Sequence, residues 1–196
     1  MIYANSTIKT HSDHSANSAN SANSANSEGS TRRSPAGLAV AEPELKQVYL
    51  HPGELYASPE PANIKIILGS CVAVCLYNPR LSIGGATHFL LPALEGEGQL
   101  SPRYGNVAIE RLLQELRLAG SRNKDLHAEL YGGACVLSAF SSGSRERIGD
   151  QNIRMAVDTL SREAIPIQRR DIGGVKGRKI TMRTDTGEIT CKLIGG

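Results

Sequence analysis

Leu45 marks a change in the chain: beyond it, hydrophobic and polar positions recur with two distinct periods. Residues 46–50 read as a short strand, and residues 64–68 as an apolar strand running into the turn pair Gly69-Ser70. Residues 71–77 form the next apolar strand. Asn78-Pro79-Arg80-Leu81 carries turn chemistry, and residues 83–91 are apolar until Pro92 stops them, which predicts a hairpin. The period then lengthens. Ile109, Leu112, Leu113 and Leu116 fall at i, i+3, i+4 and i+7, with Asn106 as N-cap and Gly120 just past the end, so this segment is predicted to be a helix. Residues 126–131 and 134–137 are strand-like around Gly132-Gly133. Ile153, Ala156, Val157 and Leu160 repeat the helical spacing after Asp150, a second N-cap candidate, and Ile165-Pro166 closes that helix. Residues 179–184 and 188–193 alternate about Asp185-Thr186-Gly187, predicting a closing hairpin with Ile180, Met182, Ile189, Cys191 and Leu193 facing inward. Hairpins in place of regular strand–helix–strand units predict an α+β fold, an α/β sandwich of mixed and antiparallel strands with flanking helices, in one domain spanning 45–196.

Upstream of that domain, residues 15–26 are four tandem copies of Ser-Ala-Asn, and the flanks are nearly free of large apolar side chains. Ordering such a segment costs roughly 1–2 kcal/mol per residue with no apolar burial to offset it, so residues 1–44 are expected to be a disordered polar tail. Composition then narrows the partners. Lys plus Arg number 22 against 19 Asp plus Glu, a net charge of +3, too weak to require nucleic acid or an anionic membrane. Six Tyr, two Phe and no Trp make base-stacking platforms unexpected. The longest apolar stretch, 66–77, contains Gly69 and Ser70 and falls short of the roughly 20 residues needed to cross a bilayer. The N-terminal residues have neither a secretory apolar stretch nor an Arg-rich transit pattern, so the cytoplasm is the expected compartment, without membrane insertion. Cys71, Cys75, Cys135 and Cys191 lack CxxC spacing and are expected to be thiols. His11, His14, His51 and His127 have no Cys or carboxylate at ligand spacing, so no metal or other cofactor is expected.

The first hairpin carries the candidate chemistry. A turn at 78–81 places Tyr77 opposite Ser82 and hence Cys71 opposite His88, with Cβ atoms about 4.5–5.5 Å apart. A register two residues longer makes them diagonal neighbours on the same face, whereas a one-residue slip separates them by face. A Cys beside a His is the minimal activated nucleophile: imidazole takes the thiol proton, and the thiolate attacks an acyl carbon. Leu68-Gly69-Ser70 precedes Cys71, and such a turn can aim backbone N–H groups at an oxyanion. The alternative reading treats Cys71 as a small buried hydrophobe and His88 as a satisfied core histidine.

Leu68-Gly69-Ser70-Cys71-Val72-Ala73-Val74-Cys75-Leu76-Tyr77 and Gly84-Gly85-Ala86-Thr87-His88-Phe89-Leu90-Leu91-Pro92 resemble the signature of the CheD family, chemoreceptor glutamine deamidases of bacterial chemotaxis. Further blocks resemble the family in order: Tyr104-Gly105-Asn106, Tyr131-Gly132-Gly133-Ala134, Ile148-Gly149-Asp150-Gln151-Asn152, Asp171-Ile172-Gly173-Gly174 and Gly177-Arg178-Lys179. The resemblance spans about 45–193. It implies a sandwich related to bacterial toxin deamidases that hydrolyses receptor glutamine side chains to glutamate and ammonia, with Cys71 as nucleophile and His88 as general base. The family's third member is a Thr six residues before the Cys, and this sequence departs there with Lys65. Ser70 and Thr87 are the oxyanion or orienting candidates. Two function classes follow, a cysteine amidohydrolase acting on methyl-accepting chemotaxis receptors and a non-catalytic adaptor that binds receptors or a CheC-like phosphatase. Retention of both Cys71 and His88 favours the first. Gly173-Gly174-Val175-Lys176-Gly177 lacks the phosphate-loop pattern, and Arg169, Arg170, Lys176, Arg178 and Lys179 read as a basic, solvated cluster.

Overall fold

In the computed structural model, residues 45–94, 99–135 and 147–195 are described, and the expected tail at 1–44 lies outside them. Among the described residues nine strands and two long helices follow in order: β1 (Lys46–Tyr49), β2 (Glu54–Ser58), β3 (Ala62–Leu68), β4 (Val72–Asn78), β5 (Ile83–His88), α1 (Gly105–Leu118), β6 (His127–Gly132), α2 (Ile148–Arg162), β7 (Ile167–Ile172), β8 (Gly177–Arg183) and β9 (Ile189–Ile194). The strands make two mixed sheets, β1-β3-β8-β9 and β2-β5-β4-β6-β7, in which β1/β3 and β6/β7 are parallel and the remaining pairs antiparallel. This is the expected α+β sandwich.

Alternation along β4 divides the core in two. Val72, Val74 and Leu76 face the helices and pack with Ile109, Leu112, Leu116, Ala156 and Leu160. Ala73 and Cys75 face the other sheet and meet Ile64, Ile66, Leu68, Ile180 and Met182. Both helices therefore cover the five-stranded sheet, whose second face is sealed by the four-stranded one. Near-continuous burial of β4 and β5 reflects a central position with layers on both sides.

The first hairpin turns one position later than the residue pattern suggests. Asn78 stays in the strand opposite Ile83, so the turn is residues 79–82. The Asn78 side chain explains the shift: its Oδ1 accepts the backbone N–H of Arg80 at 3.0 Å and of Leu81 at 3.4 Å, closing an Asx turn ahead of Ser82 at φ 53°. Neither predicted N-cap acts as one. Tyr104 and Arg147 occupy those positions, Asn106 lies inside α1 with its Oδ1 accepting the Leu94 N–H at 3.2 Å, and Asp150 lies in the first turn of α2, where its charge suits the helix dipole. Leu193, expected to be inward, is 59% exposed because β9 is an edge strand flanked by β8 alone. Of the predicted strand at 134–137, Ala134 and Cys135 are loop residues and the other two lie outside the described residues. The pattern gives no hint of β2 or β7.

Candidate active site

The strand ends gather the candidate chemistry at one end of the sandwich. β3 finishes at Leu68, and Gly69, Ser70 and Cys71 carry the chain across to β4 in the facing sheet. This crossing is held from the side by the end of β6: Gly133 N donates to Cys71 O and Ala134 N to Gly69 O, each at 2.8 Å. Gly132 makes that approach feasible. Its φ is +107°, and a Cβ there would sit 2.2 Å from Cys71 O.

His88 ends β5. The β4/β5 pairing continues beyond the regular ladder through Val72 and Phe89, which exchange two backbone hydrogen bonds of 3.1 Å. In this register His88 lies opposite Ala73, and Cys71 is its diagonal neighbour on the face turned toward the second sheet, the two-residue variant of the expected geometry. The imidazole is buried, and its Nδ1 stands 3.0 Å from the carbonyl of Leu50. A carbonyl only accepts, so Nδ1 carries the proton and Nε2 is left with a free lone pair. Nε2 is buried and makes no hydrogen bond to any described residue, Cys71 included.

The resting charges follow from burial. Desolvation pushes the half-buried Cys71 thiol above its ordinary value near 9.0, only partly opposed by a hydrogen bond from its own backbone N–H. Desolvation also pushes His88 below its ordinary value near 6.5, outweighing the Leu50 hydrogen bond and the attraction of Glu54. Both directions favour the neutral forms near neutrality, a thiol at Cys71 and an uncharged imidazole at His88. Two further thiols are pushed up as well: burial and Glu129 drive fully buried Cys75 far up, and burial with Asp171 pushes Cys191 up to about 11.

The remaining candidates separate. Exposed Ser70 borders a cavity of about 230 Å³ with Gly133, Ala134, Cys135, Arg147 and Gly149. Thr87 lies on the opposite face of β5 from His88, where its Oγ1 accepts the Val74 N–H at 3.3 Å. Lys65 turns to Tyr49, its Nζ 5.3 Å from the ring centroid and 3.5 Å from the hydroxyl. The ring nitrogen that a third side chain would orient already has the Leu50 carbonyl, and Leu50 N in turn donates to Lys65 O at 3.0 Å. Arg178 departs from its expected place in a solvated cluster. It is buried, bonded to Asp171 Oδ1 and Gly173 O at 2.8 Å and to Lys176 O at 3.2 Å, and so pins the loop before β8. Among the described residues no group of three or more potential metal ligands occurs, and no helix is long and apolar enough to cross a membrane.

Two residues of the site escape sequence reasoning. Leu50 acts through a backbone oxygen, which leaves no side-chain signature. Asn152 is a fully buried amide on α2 that donates through Nδ2 to Leu90 O at 2.8 Å and Ser70 O at 3.2 Å. Its signal was present as a polar side chain on the same stripe as Ala156 and Thr159.

The family described as CheD chemotactic sensory transduction matches residues 90–193, a segment that contains Asn152 and begins two residues after His88. The chain is 37% identical over 151 residues to a Sulfurimonas denitrificans protein named "Probable chemoreceptor glutamine deamidase CheD", covering 77% of this chain and 96% of that one. It is 45% identical over 141 residues to a similarly named Anaeromyxobacter dehalogenans protein, covering 72% and 81%, and 41% identical over 145 residues to one from Trichlorobacter lovleyi, covering 74% and 89%.

Proposed function

The chain belongs to the CheD family, and we propose that it hydrolyses glutamine side chains of methyl-accepting chemotaxis receptors to glutamate, with Cys71 as nucleophile and His88 as general base. One observation carries this reading: a buried imidazole, its Nδ1 held by the Leu50 carbonyl, keeps an Nε2 without a partner among the described residues on the same sheet face as the diagonal Cys71. That nitrogen keeps a lone pair able to take a thiol proton.

The neutral resting pair sets the order of events. As the glutamine carbonyl arrives, the thiol proton passes to Nε2 and sulfur bonds to the amide carbon, placing negative charge on oxygen. Backbone N–H groups of the turn at 69–71 stabilise that oxyanion, each worth on the order of 3 kcal/mol if well aimed. The carbon–nitrogen bond then breaks, and His88 gives its proton to the departing ammonia, leaving a thioester. Water attacks the thioester, its proton goes to Nε2, and expulsion of sulfur with return of that proton yields glutamate and free thiol. Throughout, the Leu50 carbonyl orients the ring and accepts from Nδ1, which supplies the orienting contact where Lys65 stands in place of a hydroxyl. The receptor's cytoplasmic region is the place for this chemistry, with no metal or cofactor in the scheme.

Ammonia release from a receptor cytoplasmic fragment tests the proposal. Wild-type protein is expected to release it, and Cys71→Ala and His88→Ala are expected to fold yet release none. Binding of the fragment, or of a CheC-like phosphatase, without any ammonia from wild type would replace the enzyme with the adaptor reading.

A further inference from the structure

One side chain of α2 joins the segments that carry Cys71 and His88. Asn152 is wholly buried on α2, a helix anchored in the core by Ala156 and Leu160. Its Nδ2 reaches one carbonyl immediately before Cys71 and another two residues after His88. The ladder between β4 and β5 has by then thinned to the single Val72–Phe89 bridge, so the Asn152 amide extends the pairing past the last backbone rung. An apolar side chain of equal volume would fill the space without joining the carbonyls; the Asn152 Oδ1 has no hydrogen-bond partner among the described residues.

We infer that Asn152 is a positioning residue: by holding the Ser70 and Leu90 carbonyls to one amide it sets the separation and orientation of Cys71 and His88. This rests on the Cys71–His88 reading and deepens it. Proton transfer from thiol to imidazole needs near hydrogen-bond reach, and a misplacement near 1 Å costs on the order of a hundredfold in rate. The residue touches neither reacting group, so its effect is expected in turnover rather than in binding.

The test compares full-length wild type, N152L, N152D and L160A, the last a core truncation on the same helix that leaves both carbonyl contacts in place. Steady-state ammonia release from a receptor cytoplasmic fragment is expected to show kcat lowered about tenfold or more in N152L and N152D, with KM within about twofold, and kcat retained in L160A. Iodoacetamide alkylation of Cys71 across pH, mapped by peptide mass spectrometry, is expected to lose its dependence on His88 in N152L, so that adding His88→Ala changes nothing further. Unchanged kcat and a His88-dependent alkylation profile in N152L overturn the assignment, as does an equal loss in L160A, which marks general destabilisation. A wild type indifferent to His88→Ala overturns the dyad itself, a distinguishable result. Should the Asn152 variants not fold, side-chain amide exchange in wild type decides: two slowly exchanging Nδ2 protons support the assignment, and exchange as fast as that of an exposed asparagine overturns it.

Discussion

Gly132→Ala presses directly on the turn that carries Cys71. The added methyl would lie 2.2 Å from Cys71 O and 3.3 Å from the Leu68 Cβ, against atoms that are largely backbone and cannot swing aside. At φ +107° a side chain also brings strain on the order of 1–3 kcal/mol. Relief requires the Cys71 peptide to retreat by about 1 Å, which breaks the Gly133 N–H to Cys71 O hydrogen bond, about 1 kcal/mol net, and adds an overpacking cost of about 1–3 kcal/mol. The combined expectation is about 3–7 kcal/mol, a large part of the roughly 5–15 kcal/mol of a typical domain. Gly174→Ala isolates the strain, since Gly174 also has positive φ, +72°, but a Cβ there meets nothing within 4 Å. It should cost about 1–2 kcal/mol. Urea unfolding followed by far-ultraviolet circular dichroism gives both values, and alkylation of the folded proteins reports on Cys71. Equal midpoints for the two variants, or a Gly132→Ala protein that retains wild-type Cys71 reactivity, would refute the view that Gly132 fits the turn to the nucleophile.

Three further expectations concern the chemistry. Burial holds His88 below its ordinary 6.5, so the acid limb of Cys71 alkylation should have its midpoint below pH 6.5 and vanish in His88→Ala. The same depression makes protonation costlier in the folded chain, so His88 reduces stability as pH falls through 6.5 toward its folded value and has no effect above it; urea midpoints of wild type and His88→Ala across that range check the sign. Near neutral pH Cys71 should be the first cysteine labelled, with fully buried Cys75 silent until unfolding and Cys191, pushed up to about 11, slow; peptide mapping that finds Cys135 or Cys191 ahead contradicts this. Lys65→Thr should change ammonia release by no more than about twofold, because Nδ1 of His88 is already held by Leu50, and a large gain would show that the position lacks a needed hydroxyl.

What the residue pattern revealed is what local periodicity encodes. The β4/β5 and β8/β9 hairpins and both amphipathic helices follow from alternation, turn residues and the 3.6 repeat, and either even register of the first hairpin places Cys71 and His88 on one face. β2 is hidden because Glu-Leu-Tyr-Ala-Ser is short and only half-buried at a sheet edge, and β7 because Gln168, Arg169 and Arg170 face solvent along another edge. The parallel pairings of β1 with β3 and β6 with β7 join separate segments of chain, which no hairpin rule specifies. Thr87 adjoins His88 in sequence, yet strand alternation turns it to the other face, so adjacency misleads there. The Leu50 carbonyl and the Asn152 amide are brought to the site from 38 and 62 residues away, from His88 and Leu90 respectively. Only the fold connects them.

The central claim is that Cys71, with a proton acceptor in His88, converts glutamine to glutamate. Intact-mass spectrometry of a receptor cytoplasmic fragment incubated with the protein addresses it most directly. Wild type is expected to add about 1 Da for each glutamine converted, and Cys71→Ala and His88→Ala to add none. A Cys71→Ala protein that raises the fragment mass at the wild-type rate would contradict it.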